Sequence, residues 1–221
     1  MADRGITFSA PMVRALLDGR KTQTRRLITK NAALDALAIF NPAFLMLPGN
    51  ADLLPHAPGD RLYVREHWKV WQGEDATAPR DMPPGRIPIH YLADLPHQFN
   101  DYLGRHRQAM HMPRWASRLT LFVTGVRVQR LQDISEADAA AEGMHIASVY
   151  GPGAVDAGKP ASWMPYPEWD GVLASNARVA FIHIWDSLHT EPGTRWEDNP
   201  WIYAVTFDVR HGNIDKIGGA V

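Results

Sequence analysis

Gly19-Arg20-Lys21-Thr22-Gln23-Thr24-Arg25-Arg26 is the stretch whose reading decides the fold. It is basic and hydroxyl-bearing, and it joins a short apolar helix to a strand. Before it, Pro11 suits a first helical turn, where its missing N–H has no partner to lose, and Met12, Val13, Leu16 and Leu17 supply an apolar stripe. Gly19 ends that helix, because glycine accepts the left-handed backbone that closes one. Arg20 and Lys21 are then expected to leave at a fixed angle, near the helix's unsatisfied carbonyls, which favour cations. The segment supplies a lysine that can lose its proton when desolvated, two threonine hydroxyls, and two arginines suited to phosphates, carboxylates or base edges. That inventory fits catalysis or nucleic-acid contact, and the plain alternative is a solvated hairpin edge.

The composition sets bounds on both readings. With 221 residues, 45% of them hydrophobic, and 8 tryptophans, the chain can bury a substantial core, and a single domain spanning 1–221 is expected. A formal charge of −1 argues against a general DNA-coating protein, which needs a broad basic surface, so no DNA partner is expected. The absence of cysteine excludes disulfides, thiolate zinc sites and a cysteine nucleophile. Neither a metal nor a cofactor is expected. The start, MADRGITFSAP, has no apolar h-region, and no window approaches the roughly 18 uninterrupted apolar residues of a membrane span. The expectation is a cytoplasmic protein without a membrane partner.

Outward from the basic turn, Ile6 to Ser9 reads as a strand before the helix and Thr22 to Ile28 as one after it. Asn31 to Phe40 is alanine- and leucine-rich enough for a helix, and the prolines and glycines from 42 to 59 break the next stretch into loop. In Asp60 to Val70, Leu62, Val64, Glu66, Trp68 and Val70 alternate onto one face of a strand. Glu66 is the anomaly on that face. A carboxylate there needs a partner, with Arg26 and Lys21 as candidates, and is either a structural ion pair or a pocket residue. A long loop is expected near 72–88, then a short strand from Ile89 to Leu92. His106 and His111 lack metal-binding spacing and read as surface histidines.

Met112 to Arg118 is a turn that sets Arg114 beside Trp115, and Leu119 to Leu131 reads as strand with Gly125 at a bulge or bend. Ser135 opens a short helix whose last turn holds Glu142. An acid is unfavourable there because the helix dipole is negative at that end, so a role outside helix stability or simple solvation accounts for it. The Gly-, Pro- and Ser-containing segment near 145–170 reads as an insertion or lid. Val172 to Leu188 is the longest expected helix, Asn199 to Val209 a closing strand, and the tail from His211 is expected to fray. There is no Walker loop, dinucleotide glycine fingerprint or Gly-x-Ser-x-Gly elbow. What remains is an α+β fold, a small curved barrel-like sheet with flanking helices.

Phe8-Ser9-Ala10-Pro11-Met12, the Gly19–Arg26 stretch, Gly59-Asp60-Arg61-Leu62-Tyr63-Val64-Arg65-Glu66, Met112 to Arg118 and Asn199-Pro200-Trp201 together resemble phage-associated ASCH-domain proteins. The resemblance implies a PUA-like β-barrel and an association with RNA. One branch of that superfamily consists of small N4-acetylcytidine amidohydrolases, with a lysine, a threonine and a glutamate as the proposed catalytic set. Their Gly-Arg-Lys-Thr-x-Thr segment matches Lys21 and Thr24 here, and their glutamate corresponds to Glu142, reached through Ile134-Ser135-Glu136. This chain is about twice as long as those enzymes, and its Arg25 replaces an aliphatic residue.

The resulting expectation is an amidohydrolase acting on N4-acylated cytosine or cytidine, with a nucleoside or nucleobase as substrate. Thr24 is the nucleophile or orients the attacking water, Lys21 is the general base, and Glu142 orients it or shuttles the proton. Arg26, Glu66 and Trp68 are the candidate substrate-binding residues. In a straight strand Lys21 and Thr24 point to opposite faces, so their cooperation calls for a turn or bulge. The alternatives are a non-catalytic RNA-binding module, in which Lys21, Arg25, Arg26, Arg114 and Arg118 line a groove, and a ribonuclease.

Overall fold

The structure, a computed structural model, describes residues 2–94, 102–147, 162–165 and 173–218. The chain runs β1 (Asp3–Thr7), α1 (Ala10–Leu17), β2 (Gln23–Leu27), α2 (Asn31–Ile39), β3 (Arg61–Arg65), β4 (Trp68–Lys69) and β5 (His90–Tyr91). It continues through β6 (Leu119–Arg130), α3 (Glu136–Ala141), β7 (His145–Ala147), β8 (Ser162–Met164), α4 (Ala177–Leu188) and β9 (Trp201–His211). The α+β expectation holds: among the described residues, four α-helices accompany a five-stranded sheet in the order β1-β3-β6-β9-β2. Two compact units divide the chain, and β6 and β9 are long enough to contribute to both.

The first unit comprises residues 1–17, 59–123 and 208–221. Its β1 pairs parallel with β3, Ile6 opposite Val64, and β3 pairs antiparallel with β6, Leu62 opposite Leu121. The buried alternate residues of these strands, with Val13 and Leu16 of α1, form its core. The expected single strand from Asp60 to Val70 is interrupted at Glu66 and His67. The cause is Glu66. Its buried carboxylate is gripped by Arg118, Nε to Oε1 at 2.8 Å and Nη2 to Oε2 at 2.9 Å, so neither Arg26 nor Lys21 is its partner. Burial raises the Glu66 pKa, and the Arg118 guanidinium counters that rise.

Arg118→Ala leaves the carboxylate without its forked donor. Because Arg118 is partly exposed, a loss of about 2 kcal/mol is expected, with Arg118→Lys recovering only part of it, as read by urea unfolding. Trp68 belongs to a second buried cluster with Val70, Met82, Met112 and Ala116, against which Ile87, Ile89, Tyr91 and Trp115 pack. The 72–88 loop is therefore tied down by Met82 and Ile87, and Trp115 is a packing residue. The tail also departs from expectation. Ile214 is buried, and Asn213 Nδ2 donates to the carbonyls of Arg114, Trp115 and Ser117, which docks the segment after β9.

The second unit comprises residues 18–58 and 124–207. β2 pairs antiparallel with β9, Thr24 opposite Val205, Arg25 opposite Ala204 and Arg26 opposite Tyr203. Ser135 caps α3 by accepting the Asp138 N–H at 3.1 Å, as its position suggested. α4 begins at Ala177, five residues later than expected, because Asn176 supplies the cap by accepting the Val179 N–H. Phe181, Ile184 and Trp185 of α4 are buried, as are Ile202, Ala204 and Val205 of β9. Most of the expected 145–170 insertion, residues 148–161 and 166–170, lies outside the described residues. β6 passes through Gly125 without interruption of the strand.

Candidate active site at the outer edge of the sheet

The site is assembled where the basic turn meets the end of α3. An α-helix leaves its last carbonyls without intrahelical partners, and here the turn satisfies three in succession. Thr22 N–H donates to Ala141 O at 2.9 Å, Lys21 Nζ to Glu142 O at 2.8 Å, and Arg20 Nη1 to Gly143 O at 2.6 Å. Gly19, at φ 71°, turns the chain into position. The cations therefore cap α3, not α1 as their place in the sequence suggested, and they offset the unfavourable acid at its C-terminal end.

Glu142 is thereby drawn inward. Its Oε2 accepts from Lys21 Nζ at 2.7 Å and its Oε1 from Arg25 Nη1 at 3.0 Å, with Lys21 only 2% exposed and Glu142 4%. Arg25 also donates to Gln23 Oε1 at 2.7 Å, lies 3.3 Å from Asp138 Oδ2, and faces the Phe181 ring at 5.8 Å. Burial would raise the Asp138 pKa, but Arg127, Ser135 and Arg25 hold it below the usual carboxylate range. Asp138 thus keeps its charge beside the buried Arg25.

Burial pushes the Lys21 pKa down; Glu142 opposes that shift, and the nearby charges of Arg26 and Arg25 add to it. The ammonium form of Lys21 is therefore held less firmly than that of a solvated lysine. Arg26 is itself lowered by burial and feels the charges of Tyr203 and Glu142. Burial drives the Tyr203 hydroxyl up to about 12, so it stays protonated at neutral pH.

The structure brings Lys21 and Glu142 together. Thr24 is buried on β2, in register with Val205. The ladder runs one-to-one from Gln23 to Leu27, and Phe207 N–H donates to Thr22 O at 3.0 Å, so the bulge anticipated between Lys21 and Thr24 does not form. Strand alternation then turns Thr24 and Arg26 away from the face that carries Gln23 and Arg25. Arg26 spans the difference: it shares a face with Thr24, yet its charge acts on both Lys21 and Glu142. β2 is the outer strand of the sheet, and the chain entering it is bonded to the end of α3 through Lys21 and Thr22.

Glu66 and Trp68 belong to the first unit, the one tied to Arg118 and the other fully buried in an apolar cluster beside the Arg107 guanidinium. Arg25 was named only for the alternative RNA groove, and Tyr203, opposite Arg26 on β9, was not singled out. Arg25 could have been found by its two-residue spacing from Gln23 and its four-residue spacing from Lys21 along an extended segment, whereas Tyr203 becomes visible only through strand register.

No family model and no curated protein matches the chain. Among solved structures it is similar to the high-resolution crystal structure of an ASCH domain from Lactobacillus crispatus JV V101, at 12% identity, covering 94% of this chain and 79% of that one, with a TM-score of 0.38.

Proposed function

We propose that the chain is an amidohydrolase that removes the acyl group from the exocyclic amine of N4-acylated cytosine or cytidine. The observation that carries this reading is the buried Lys21 amine, held at 2.7 Å by a buried carboxylate and biased toward its neutral form. A neutral amine is a general base, and the Glu142 carboxylate stabilises the ammonium that forms when it accepts a proton. Thr24 supplies the hydroxyl, as nucleophile or as the group that orients water. A water relays the proton of that oxygen to Lys21, on the other face of β2, as the oxygen attacks the acyl carbon, the carbon–nitrogen bond breaks, and the same proton passes to the departing exocyclic nitrogen. If Thr24 carries the acyl group, water then releases it as the carboxylic acid and restores the hydroxyl. Arg26, beside Thr24, is placed to donate to the pyrimidine's carbonyl oxygen.

Four of the five cations proposed for an RNA groove are engaged with carboxylates: Lys21 and Arg25 with Glu142, Arg114 with Asp3 and Asp215, and Arg118 with Glu66 and Asp94. That occupancy favours a small substrate over a polyanion. The test is acetate release from N4-acetylcytidine as a function of pH. Since deprotonated Lys21 is the active form and its pKa is lowered, kcat/KM should rise with pH along a limb whose midpoint lies below 10.5. Thr24→Val should remove most turnover and Thr24→Ser should retain part of it. A pH-independent rate, or equal rates in Thr24→Val and wild type, would refute these roles.

A further inference from the structure

Trp68 and Arg107 lock two stretches of the first unit together. Trp68 N–H donates to Arg107 O at 3.1 Å, and Arg107 N–H returns to Trp68 O at 2.9 Å. Both side chains turn inward and are buried, the Arg107 guanidinium lying over the Trp68 ring at 5.3 Å with its Nη2 donating to Glu74 O at 2.8 Å. Alternation along extended chain then sends the residue before each of them, His67 and His106, to the outer face. Their rings meet there. His67 Nδ1 lies 2.6 Å from His106 Nε2, with ring centroids 4.7 Å apart.

Both histidines are carried on backbone that is fixed from a second side. Leu92 N–H donates to His67 O at 2.9 Å, which ties that residue to the end of β5. Beside His106, both Asp75 carboxylate oxygens accept the Arg105 N–H, at 2.9 and 3.0 Å. Gly104 permits this grip, since a β-carbon at that position would stand 2.2 Å from Asp75 Oδ1. Ligands set on paired backbone in this way hold their geometry before anything binds. Spacing along the chain hid the pair, because the partner of His106 stands 39 residues away, across a strand pairing.

Two facing ring nitrogens at this distance share one hydrogen, one donating and the other accepting. Burial and the neighbouring ring hold His67 below the usual histidine range, in keeping with a neutral pair at neutral pH. Neutral imidazole nitrogens are also the usual protein ligands of late transition metals. Metal–nitrogen bonds of about 2.0 Å set their nitrogens about 2.9 Å apart at a right angle and roughly 3.3 Å apart at the tetrahedral angle. A small opening of the two rings therefore admits an ion of square-planar habit, and a tetrahedral ion needs a larger one. Among the described residues no third imidazole or carboxylate joins the pair, which disfavours Mg²⁺ and Ca²⁺, since these take oxygen ligands.

We propose that His67 and His106 form a two-imidazole site for a divalent late transition metal, Cu²⁺ and Ni²⁺ before Zn²⁺, with water completing the coordination. The hydrogen bond between the rings is the metal-free form of the same site. When the metal enters, the shared hydrogen moves through solvent to the far nitrogen of its own ring, both facing lone pairs bind the ion, and the neutral pair releases no net proton. The site is independent of Lys21 and of the hydrolase reading.

The experiment titrates the chelator-treated full chain with CuCl₂, NiCl₂ and ZnCl₂ by isothermal calorimetry in a non-coordinating buffer, and repeats it with His67→Gln, His106→Gln and the control His111→Gln. Wild type should take up one equivalent of Cu²⁺ more tightly than Zn²⁺. His67→Gln and His106→Gln should each weaken Cu²⁺ binding by roughly tenfold or more, and His111→Gln should leave it unchanged. Pulsed electron paramagnetic resonance of the wild-type Cu²⁺ complex should count two imidazoles, a reading that does not depend on any variant folding. No one-equivalent Cu²⁺ site, a single imidazole in the spectrum, tighter binding of Zn²⁺ than of Cu²⁺, affinity unmoved in both variants, or an equal loss in His111→Gln overturns the site.

Discussion

Lys21→Met should lower kcat/KM toward N4-acetylcytidine by roughly 10²–10⁴-fold, the usual contribution of a positioned general base, while the chain remains folded. Methionine keeps much of the apolar stem's volume and removes the amine, and Arg25 still pairs with Glu142. The same substitution should alter the pH dependence of stability. Because the folded-state pKa of Lys21 is lowered, the unfolded chain binds more protons between that pKa and 10.5, so wild-type stability rises with pH across the window. Lys21→Met removes that slope. Chemical unfolding at several pH values beside acetate release reads both effects; a methionine variant with wild-type turnover would leave Lys21 as a structural cation.

Glu142→Gln is expected to have the largest effect on stability. It strips the shared counter-charge from Lys21 and Arg25, both buried, and breaking a buried ion pair from one side costs roughly 3–5 kcal/mol. For a chain of this size that corresponds to a fall in Tm of roughly 6–20 °C. Turnover should fall as well, since the ammonium formed during the reaction loses its partner. The Lys21→Met/Glu142→Gln double variant should recover part of the stability, because one of the two stranded charges is gone, and the double-mutant cycle gives the coupling directly. An additive cycle, with no recovery, would contradict a specific pair.

The residues that decide the fold also show what a sequence can convey. Pro11, the apolar stripe of α1 and Gly19 were readable because they act locally, through ring geometry, spacing and a positive φ. The Ser135 cap was readable for the same reason. Glu142 was marked by its awkward place at the end of α3, and the structure supplies the reason: the turn at Arg20–Thr22 closes that helix end. That partnership spans 121 residues of sequence between Lys21 and Glu142, and no local rule announces it.

Glu66 shows the opposite case. Its alternation put it on an apolar face, but which of several arginines would reach it depended on β3 and the turn before β6 lying together, and Arg118 is the one that does. Trp68 was read as a candidate stacking surface because aromatic residues serve both cores and ligands; in the structure it packs with Val70, Met82, Met112 and Ala116. The docked tail was missed because one asparagine, Asn213, holds it through backbone carbonyls that carry no sequence signature.

At the centre of this account is an amine that can act as a base while shut away from water. Direct titration of the Lys21 Nζ by ¹⁵N NMR in the folded protein tests it most plainly. The account predicts deprotonation with a midpoint below 10.5 that coincides with the kinetic limb of the hydrolysis and shifts when Arg26 is replaced by glutamine. An Nζ that stays ammonium through pH 10.5, bound to Glu142 throughout, would make the pair a structural clasp and contradict the proposal.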